Sequence, residues 1–483
     1  MSRLEINTAA AGMRRIEDLP GPRGLPVVGN LHQMDSKRMH RTMEAWSESY
    51  GPFFRFSIGP RDILGVADPA AISAILRDRP AGFRRTRLLE SVFRELGICG
   101  VFAANGDAWR AQRKMVMAAL DTRHVKTYFP LLARVTERFH RRWCAHAARG
   151  VPFDLQADLM RYTVDVVAGL AFGVDINTIE ADGETIQTHL NHVFPMLNRR
   201  LAMPIAYWRW LRLPADRALD RHLAVVHRSV ADLIAQARER LDASAQLRES
   251  PSNLIEAMLI DRASPGTNLT DYDVASNVIT MLLAGEDTTA NTLAWLFHLT
   301  SRDSSLVSRL GLEADRVLGE RHFAGRLELA TALKLTIACA HETMRLKPIA
   351  PVILLEAVKP TTVGDIAIPA GAIVANLMRR GAVDERNFPY AERFDPDRWL
   401  GAHDPGVTST AGERISMPFG AGPRICPGRN LALLEISSVA SMLFRNFEIA
   451  AIETQDGGPV EEWLSFTMAP SKLMMTLRPR STG

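Results

Sequence analysis

One stretch of the chain, Thr270 to Ser301, narrows the possible folds more than any other. Its opening, Thr270-x-x-Asp273, has the form of a capping box, in which a hydroxyl and a carboxylate each accept from the other residue's backbone N–H. No proline interrupts the stretch, and apolar residues recur along it at helical spacing. A helix over that span is roughly 45 Å long at the standard rise per residue. Such a helix has to cross the whole body of the protein. Its midpoint breaks the apolar pattern with Ala284-Gly285-Glu286-Asp287-Thr288-Thr289. Acid and hydroxyl groups in an otherwise apolar helix are costly unless they are paired or used. Ala284 and Thr288 share a face at i, i+4, and Gly285 beside them is expected to leave room for a bound molecule. The Thr288 hydroxyl can also bond back to a carbonyl of the preceding turn.

A second feature lies near the end of the chain. Phe419-Gly420-Ala421-Gly422-Pro423-Arg424-Ile425-Cys426-Pro427-Gly428 sets one cysteine between glycine-punctuated turns. Pro427 suits the first position of a helix through Leu431, Leu434 and Ile436, where its missing N–H costs nothing. Cys426 then stands at a helix N-terminus, whose dipole and free N–H groups favour a thiolate. Gly420, Gly422 and Gly428 allow tight turns and let a flat cofactor lie close to the backbone. A thiolate is a soft, electron-rich metal ligand. Arg424 offers a fixed cation for a carboxylate on the cofactor rim. Taken alone, a single cysteine is commonly a buried structural residue. Zinc is disfavoured because no second cysteine lies at ligand spacing, and no histidine comes after Cys426 to complete a papain-like order.

The number of fixed positions decides between these readings. Phe-x-x-Gly-x-Arg-x-Cys-x-Gly resembles the heme-ligand loop of the cytochrome P-450 family, the heme-thiolate monooxygenases. The resemblance covers essentially the whole chain. It implies a mainly α fold with small β-sheets, the cytochrome P-450 fold, with the long helix across heme b (iron protoporphyrin IX) and Cys426 as the axial ligand of the iron. Phe419 and Ala284 belong to the implied heme surroundings. Asp287 and Thr288 match the family's acid–alcohol pair, in which the acid shuttles protons from solvent and the hydroxyl hydrogen-bonds the bound oxygen species. In Glu342-Thr343-Met344-Arg345 the two charges meet on one helix face at i, i+3. The resemblance adds Arg398, from Phe394-Asp395-Pro396-Asp397-Arg398-Trp399, as the third member of a buried structural brace.

Trp109 and Arg113 share a face at i, i+4, and both can donate to a carboxylate. With Arg424 they are the implied propionate contacts. Arg110, Lys114 and Arg429 add positive charge on that side, which suits an acidic ferredoxin or flavodoxin. Many members carry an arginine in the strand after Pro351. Here the strand reads Val352-Ile353-Leu354-Leu355-Glu356, so the other contacts are expected to carry more of the hold. Phe102, Met281, Val352, Ile353 and Phe466 are the implied pocket residues. They are apolar, which points to a lipophilic substrate.

Composition sets outer bounds. The chain has 483 residues, with no Gly/Ser-rich linker, repeat or low-complexity block, so one large body over 1–483 is expected, with a proline-rich lead-in over 1–35 and no fused reductase module. A net charge of +4 is too small to argue for nucleic acid. Cys99, Cys144, Cys339 and Cys426 are far apart, which suits a reducing compartment. No apolar run reaches the ~18 residues of a transmembrane helix. Arg3, Arg14 and Arg15 precede no apolar stretch, so no signal peptide is read. These features read as a cytoplasmic protein, and the family resemblance is to a soluble bacterial-type member like the longer microsomal-like class. Ile366 to Gly371 reads as a hairpin-type turn. Pro195 to Pro214, with Tyr207, Trp208, Arg209 and Trp210, reads as an access lid near a membrane or as a loop with aromatic packing. The implied activity is an O2-dependent monooxygenase served by an external ferredoxin or flavodoxin and its reductase. The alternatives are a heme-thiolate isomerase, dehydratase or peroxygenase that needs no redox partner, and a non-catalytic heme sensor.

Overall fold

The computed structural model of the chain describes residues 13–173, 175–180, 186–203, 205–264, 266–401 and 411–480. Arg3 and the start of the lead-in lie outside them. Two compact units divide the chain, and each is discontinuous in sequence. The first takes Met1–Glu90, Ala350–Arg393 and Thr408–Cys426; the second takes Ser91–Ile349, Phe394–Val407 and Pro427–Gly483.

The first unit is built on a five-stranded sheet. Its helix α1 (Met39–Tyr50) stops at Gly51, whose φ of 95° is in the left-handed region that favours glycine. Helix α2 (Pro69–Arg77) begins at Asp68, whose carboxylate accepts from Ala71 N at 2.7 Å, with Pro69 in the first turn. Strands β1 (Phe53–Ile58) and β2 (Arg61–Val66) form a hairpin, and β3 (Phe83–Arg85), β4 (Val352–Ala357) and β5 (Ile373–Leu377) complete the sheet in the order β1-β2-β5-β4-β3. Only β2 and β5 run parallel. The core of this unit gathers Leu64, Ile75, Phe83, Leu355 and Val374. The hairpin turn expected at Ile366–Gly371 is placed differently. Ile366–Ile368 is itself a strand, paired with Thr361–Val363 through a turn at Gly364, where φ is +59°. Pro369–Gly371 instead leads into β5, in another sheet.

The second unit is mostly helical. Its main helices are α3 (Gly106–Ala119), α4 (Thr122–Arg149), α5 (Leu155–Phe172), α6 (Ile186–Ala202), α7 (Pro214–Ala243), α8 (Asp271–Thr300), α9 (Ser304–Leu318), α10 (Lys334–Leu346) and α11 (Arg429–Asn446). Strands β6 (Phe447–Thr454), β7 (Glu462–Leu464), β8 (Met468–Pro470) and β9 (Leu473–Pro479) form its tail. Helix α8 is the long helix read from the sequence, and its capping box is complete. Asp273 N donates to Thr270 Oγ1 at 3.3 Å, and Thr270 N donates to Asp273 Oδ2 at 2.8 Å. Its C-terminal half is buried in the main core, where Leu293, Ala294 and Phe297 gather with Trp143, Tyr162 and Val439. Burial of this large apolar surface, not helix propensity, holds a helix of this length in place.

Candidate functional site

Helix α8 carries an open stripe in its otherwise buried middle. Leu282, Leu283, Glu286, Thr289 and Ala290 are buried, while Ala284 is exposed and Met281, Gly285, Asp287 and Thr288 are half-buried. Positions 281, 284, 285 and 288 fall on one face. Thr288 Oγ1 donates to the Ala284 carbonyl at 2.7 Å, the back-bond expected from the sequence, and the helix continues unbroken through it. Gly285 has a packing role that the sequence does not name. A Cβ there would come within 2.6 Å of Val167 Cγ2, so the glycine lets α8 pack closely on α5. Thr163 of α5 ties the same turn by donating to the Glu286 carbonyl at 2.8 Å.

Asp287 is held from the tail. Thr467 Oγ1 donates to its Oδ2 at 2.7 Å. Burial pushes the Asp287 carboxyl up, and the Thr467 hydroxyl partly offsets this by favouring the charged form. The neighbouring residue, Phe466, joins an aromatic cluster. Its ring centroid lies 5.7 Å from Phe102, 6.2 Å from Phe93 and 5.7 Å from Phe194. The sequence pattern points to Phe102 and Phe466 but gives no sign of Phe93 or Phe194.

The cysteine loop belongs to the first unit. Cys426 is half-buried, and its N–H donates to the Phe419 carbonyl at 2.8 Å. Gly420 and Gly422 have φ of +75° and +69°, as the tight turns demand. Gly422 also lies against the end of α2, where a Cβ would meet Arg77 Cα at 2.6 Å. The predicted helix start is corrected. Helix α11 begins at Arg429 behind the N-cap Gly428, so Pro427 precedes the cap instead of opening the helix.

Arg424 is drawn into a cluster of cations. Burial, then Arg85 and Arg424, push the Arg79 guanidinium down to about 8, and burial pushes Arg85 down to about 10. Arg79 is 5% exposed, and its Nε has no hydrogen-bond partner among the described residues. Neither Arg79 nor Arg85 stands out in the sequence. The register explains Arg85: it stands opposite Leu355, on the strand next to the one that lacks an arginine. Arg84, pointing to the other side of β3, pairs with Glu356 at 2.6 Å.

Glu342, Arg345 and Arg398 do come together. Arg345 Nε and Nη2 each donate to Glu342 at 2.8 Å, and Arg398 Nε lies 3.4 Å from Glu342 Oε1. Two further donors come from the same 394–399 segment as Arg398, though the sequence assigns them no role: Asp395 N and Trp399 Nε1, each at 2.9 Å from Glu342. Trp109 is buried and Arg113 half-buried on the inner face of α3, while Arg110 and Lys114 are exposed. Val352 and Ile353 cannot both line one pocket, since they pack on different apolar clusters of the first unit, on opposite faces of β4. The aromatic stretch around Trp208 is pinned. Trp208 Nε1 and Arg209 Nε donate to Glu95 at 2.8 and 2.9 Å, which leaves Trp210 outside, 79% exposed.

A family model described as Cytochrome P450 matches residues 19–477. The chain belongs to the cytochrome P450 family. Among curated relatives, the protein LUTEIN DEFICIENT 5 of Arabidopsis thaliana is 28% identical over 83% of this chain and 68% of its own length. The carotene epsilon-monooxygenase of the same plant is 26% identical over 85% of this chain and 77% of its own. Cyclooctat-9-en-7-ol 5-monooxygenase of Streptomyces melanosporofaciens is 26% identical over 89% of each chain.

This cytochrome P450 is therefore an oxidoreductase of the monooxygenase class, and its family implies heme as cofactor. The residues present fit that group. A guanidinium resists losing its proton, so buried Arg79, repelled by half-buried Arg85 and Arg424, favours an anion beside it, and heme carries two carboxylates. One more group is invisible in the sequence pattern. Glu435 of α11 is buried beside Thr289, which hydrogen-bonds it, and burial pushes its carboxyl up to about 8. Among the described residues of this P450, no helix is long and apolar enough to cross a membrane.

Proposed function

We propose that this P450 inserts one atom of O2 into an apolar, unsaturated hydrocarbon-like small molecule, with electrons from a separate ferredoxin or flavodoxin. The open stripe of α8, with Thr288 on it and Asp287 beside it, carries this reading. Two electrons and two protons accompany each O2: one oxygen atom enters the substrate and the other leaves as water. Bound through Cys426, heme supplies the O2 chemistry. In the first unit Arg79, Arg85 and Arg424 would hold its carboxylates; in the second, Trp109 and Arg113 are side chains able to donate to a carboxylate.

Asp287 moves the protons. Thr467 engages its Oδ2, so Oδ1 is the oxygen that passes a proton inward, and Thr288 Oγ1 receives it after turning from the Ala284 carbonyl. The Phe93, Phe102, Phe194 and Phe466 cluster excludes water and favours an apolar guest. The substrate class is supported by two relatives, whose names give carotene and a cyclooctatenol as what they act on. Exposed Arg110, Lys114 and Arg429 suit an acidic electron donor. The Glu342, Arg345 and Arg398 network is structural.

The deciding experiment has two steps. The reduced protein with carbon monoxide is expected to show the thiolate-type heme band, and Cys426→Ser is expected to lose it. Product formed from carotene or cyclooctat-9-en-7-ol is then expected only with a reducing system. Turnover without any reductant would replace this reading with an isomerase or peroxygenase.

A further inference from the structure

The tail hairpin joins two functions in adjacent residues. Strands β7 and β8 pair as Leu464 with Met468, so Ser465, Phe466 and Thr467 form its tip. Ser465 N donates to the Thr467 carbonyl at 3.0 Å and closes the tip. The flanks are fixed: Met468 N donates to the Ile349 carbonyl at 2.8 Å, and buried Glu462 pairs with Lys347 at 2.5 Å. Phe466 enters the aromatic cluster with Phe93, Phe102 and Phe194. Thr467, 6% exposed, turns the other way and hydrogen-bonds Asp287.

We propose that Thr467 is a positioning residue for the proton-carrying acid, and that its hold on Asp287 depends on the packing of Phe466 in the aromatic pocket wall. Three points carry this. The hydroxyl donates to a carboxylate taken largely out of water, where one charge-directed hydrogen bond has most effect. A tip of three residues between two fixed strands cannot move Phe466 without moving Thr467. Thr467 is also buried, so water cannot readily replace its hydroxyl. Displacement of Phe466 by a bulky guest would thus alter the acid that serves the reaction. The idea rests on the acid–alcohol reading of Asp287 and Thr288.

The test uses the full-length, heme-loaded protein and needs no substrate. Infrared difference spectra triggered by photolysis of the ferrous carbon monoxide complex are recorded across pH. Asp287 is identified as the protonated carboxyl band that Asp287→Asn abolishes. A donor to the carboxylate favours the charged form, so its removal raises the midpoint. Thr467→Val is expected to raise the midpoint by about one pH unit, and Thr467→Ser to keep it within a few tenths. Phe466→Ala, which leaves the Thr467 hydroxyl in place, is expected to move it in the same direction by a smaller amount.

An unmoved midpoint in Thr467→Val overturns the proposal, as does the lack of any Asp287-dependent band between pH 4 and 10. A shift in Thr467→Val with none in Phe466→Ala overturns the coupling to the pocket. If valine prevents heme loading, Thr467→Ala gives the same comparison. The functional reading fails separately: it falls if Asp287→Asn turns over like the parent with an unchanged solvent isotope effect, whatever the infrared midpoints show.

Discussion

Replacing Glu342 by alanine should cost this fold about 5 kcal/mol, the upper end of what the loss of one member of a buried pair costs. The carboxylate accepts two bonds from Arg345 at 2.8 Å and one each from Asp395 N and Trp399 Nε1 at 2.9 Å. Arg345 has no exposed side-chain surface. Its truncated partner would leave a guanidinium that water cannot reach, a loss of about 3–5 kcal/mol. Each stranded N–H adds about 1–3 kcal/mol where water stays out, but these costs overlap as the site relaxes. Unfolding entropy of ~2.1 cal/mol/K per residue amounts to about 1 kcal/mol per kelvin over 483 residues. The midpoint of thermal unfolding should therefore fall by about 5 °C. Glu342→Gln, which keeps acceptor and shape but not charge, should fall between alanine and parent. Calorimetry gives the midpoint, and the reduced carbon monoxide band per milligram gives the heme-loaded yield. A Glu342→Ala protein within about 1 °C of the parent and fully loaded with heme would refute the argument, because the buried cation would then have found another partner.

Other expectations rest on single contacts. Gly422→Ala should abolish heme loading, since its Cβ would meet backbone at 2.6 Å, whereas Gly420→Ala, with open space around a φ of +75°, should cost only about 1–2 kcal/mol; equal heme yields from the two would contradict this. Arg79→Leu should speed heme loss to an excess of heme-scavenging globin about tenfold, the effect of about 1.4 kcal/mol, and an unchanged rate removes Arg79 from the propionate seat. Glu435 has its carboxyl pushed up to about 8 in the fold against 4.5 without it. The unfolded chain thus ionises first as pH rises, and stability falls across that window by about 1.4 kcal/mol per unit. Glu435→Gln should flatten this slope between pH 5 and 8, and parallel slopes for variant and parent would argue against a neutral buried acid.

Local partners are legible in the sequence. The capping box needs residues three apart, and the two bonds between Thr270 and Asp273 are both present. Glu342 and Arg345 are likewise three apart, and Arg398 belongs to a recognisable motif. Partners brought together by tertiary packing carry no such signal. Thr467 and Asp287 are 180 positions apart, and nothing in either local sequence names the other. Arg79 and Arg85 sit outside any motif; their significance lies in burial near Arg424, which only the packed unit reveals. The missing arginine of β4 is a usable clue, because cross-strand neighbours can exchange a role, and Arg85 is one strand away. Gly285 shows the converse. Small size in a helix serves close packing as well as ligand space, and the packing role depends on Val167, a residue of another helix.

The closeness of Gly422 to Arg77 has a consequence for how the protein is made. Position 422 minus position 77 leaves a separation of 345 residues. Helix α2 leaves the ribosome long before the loop it supports. Contacts so distant in sequence form slowly, and a chain of this size folds through partly assembled states. The cofactor's sulfur seat therefore cannot be finished until the chain has grown past Gly422. Heme capture must follow synthesis of that loop, and a chain cut short between Thr300 and Gly422 has its long helix but nowhere to fix iron.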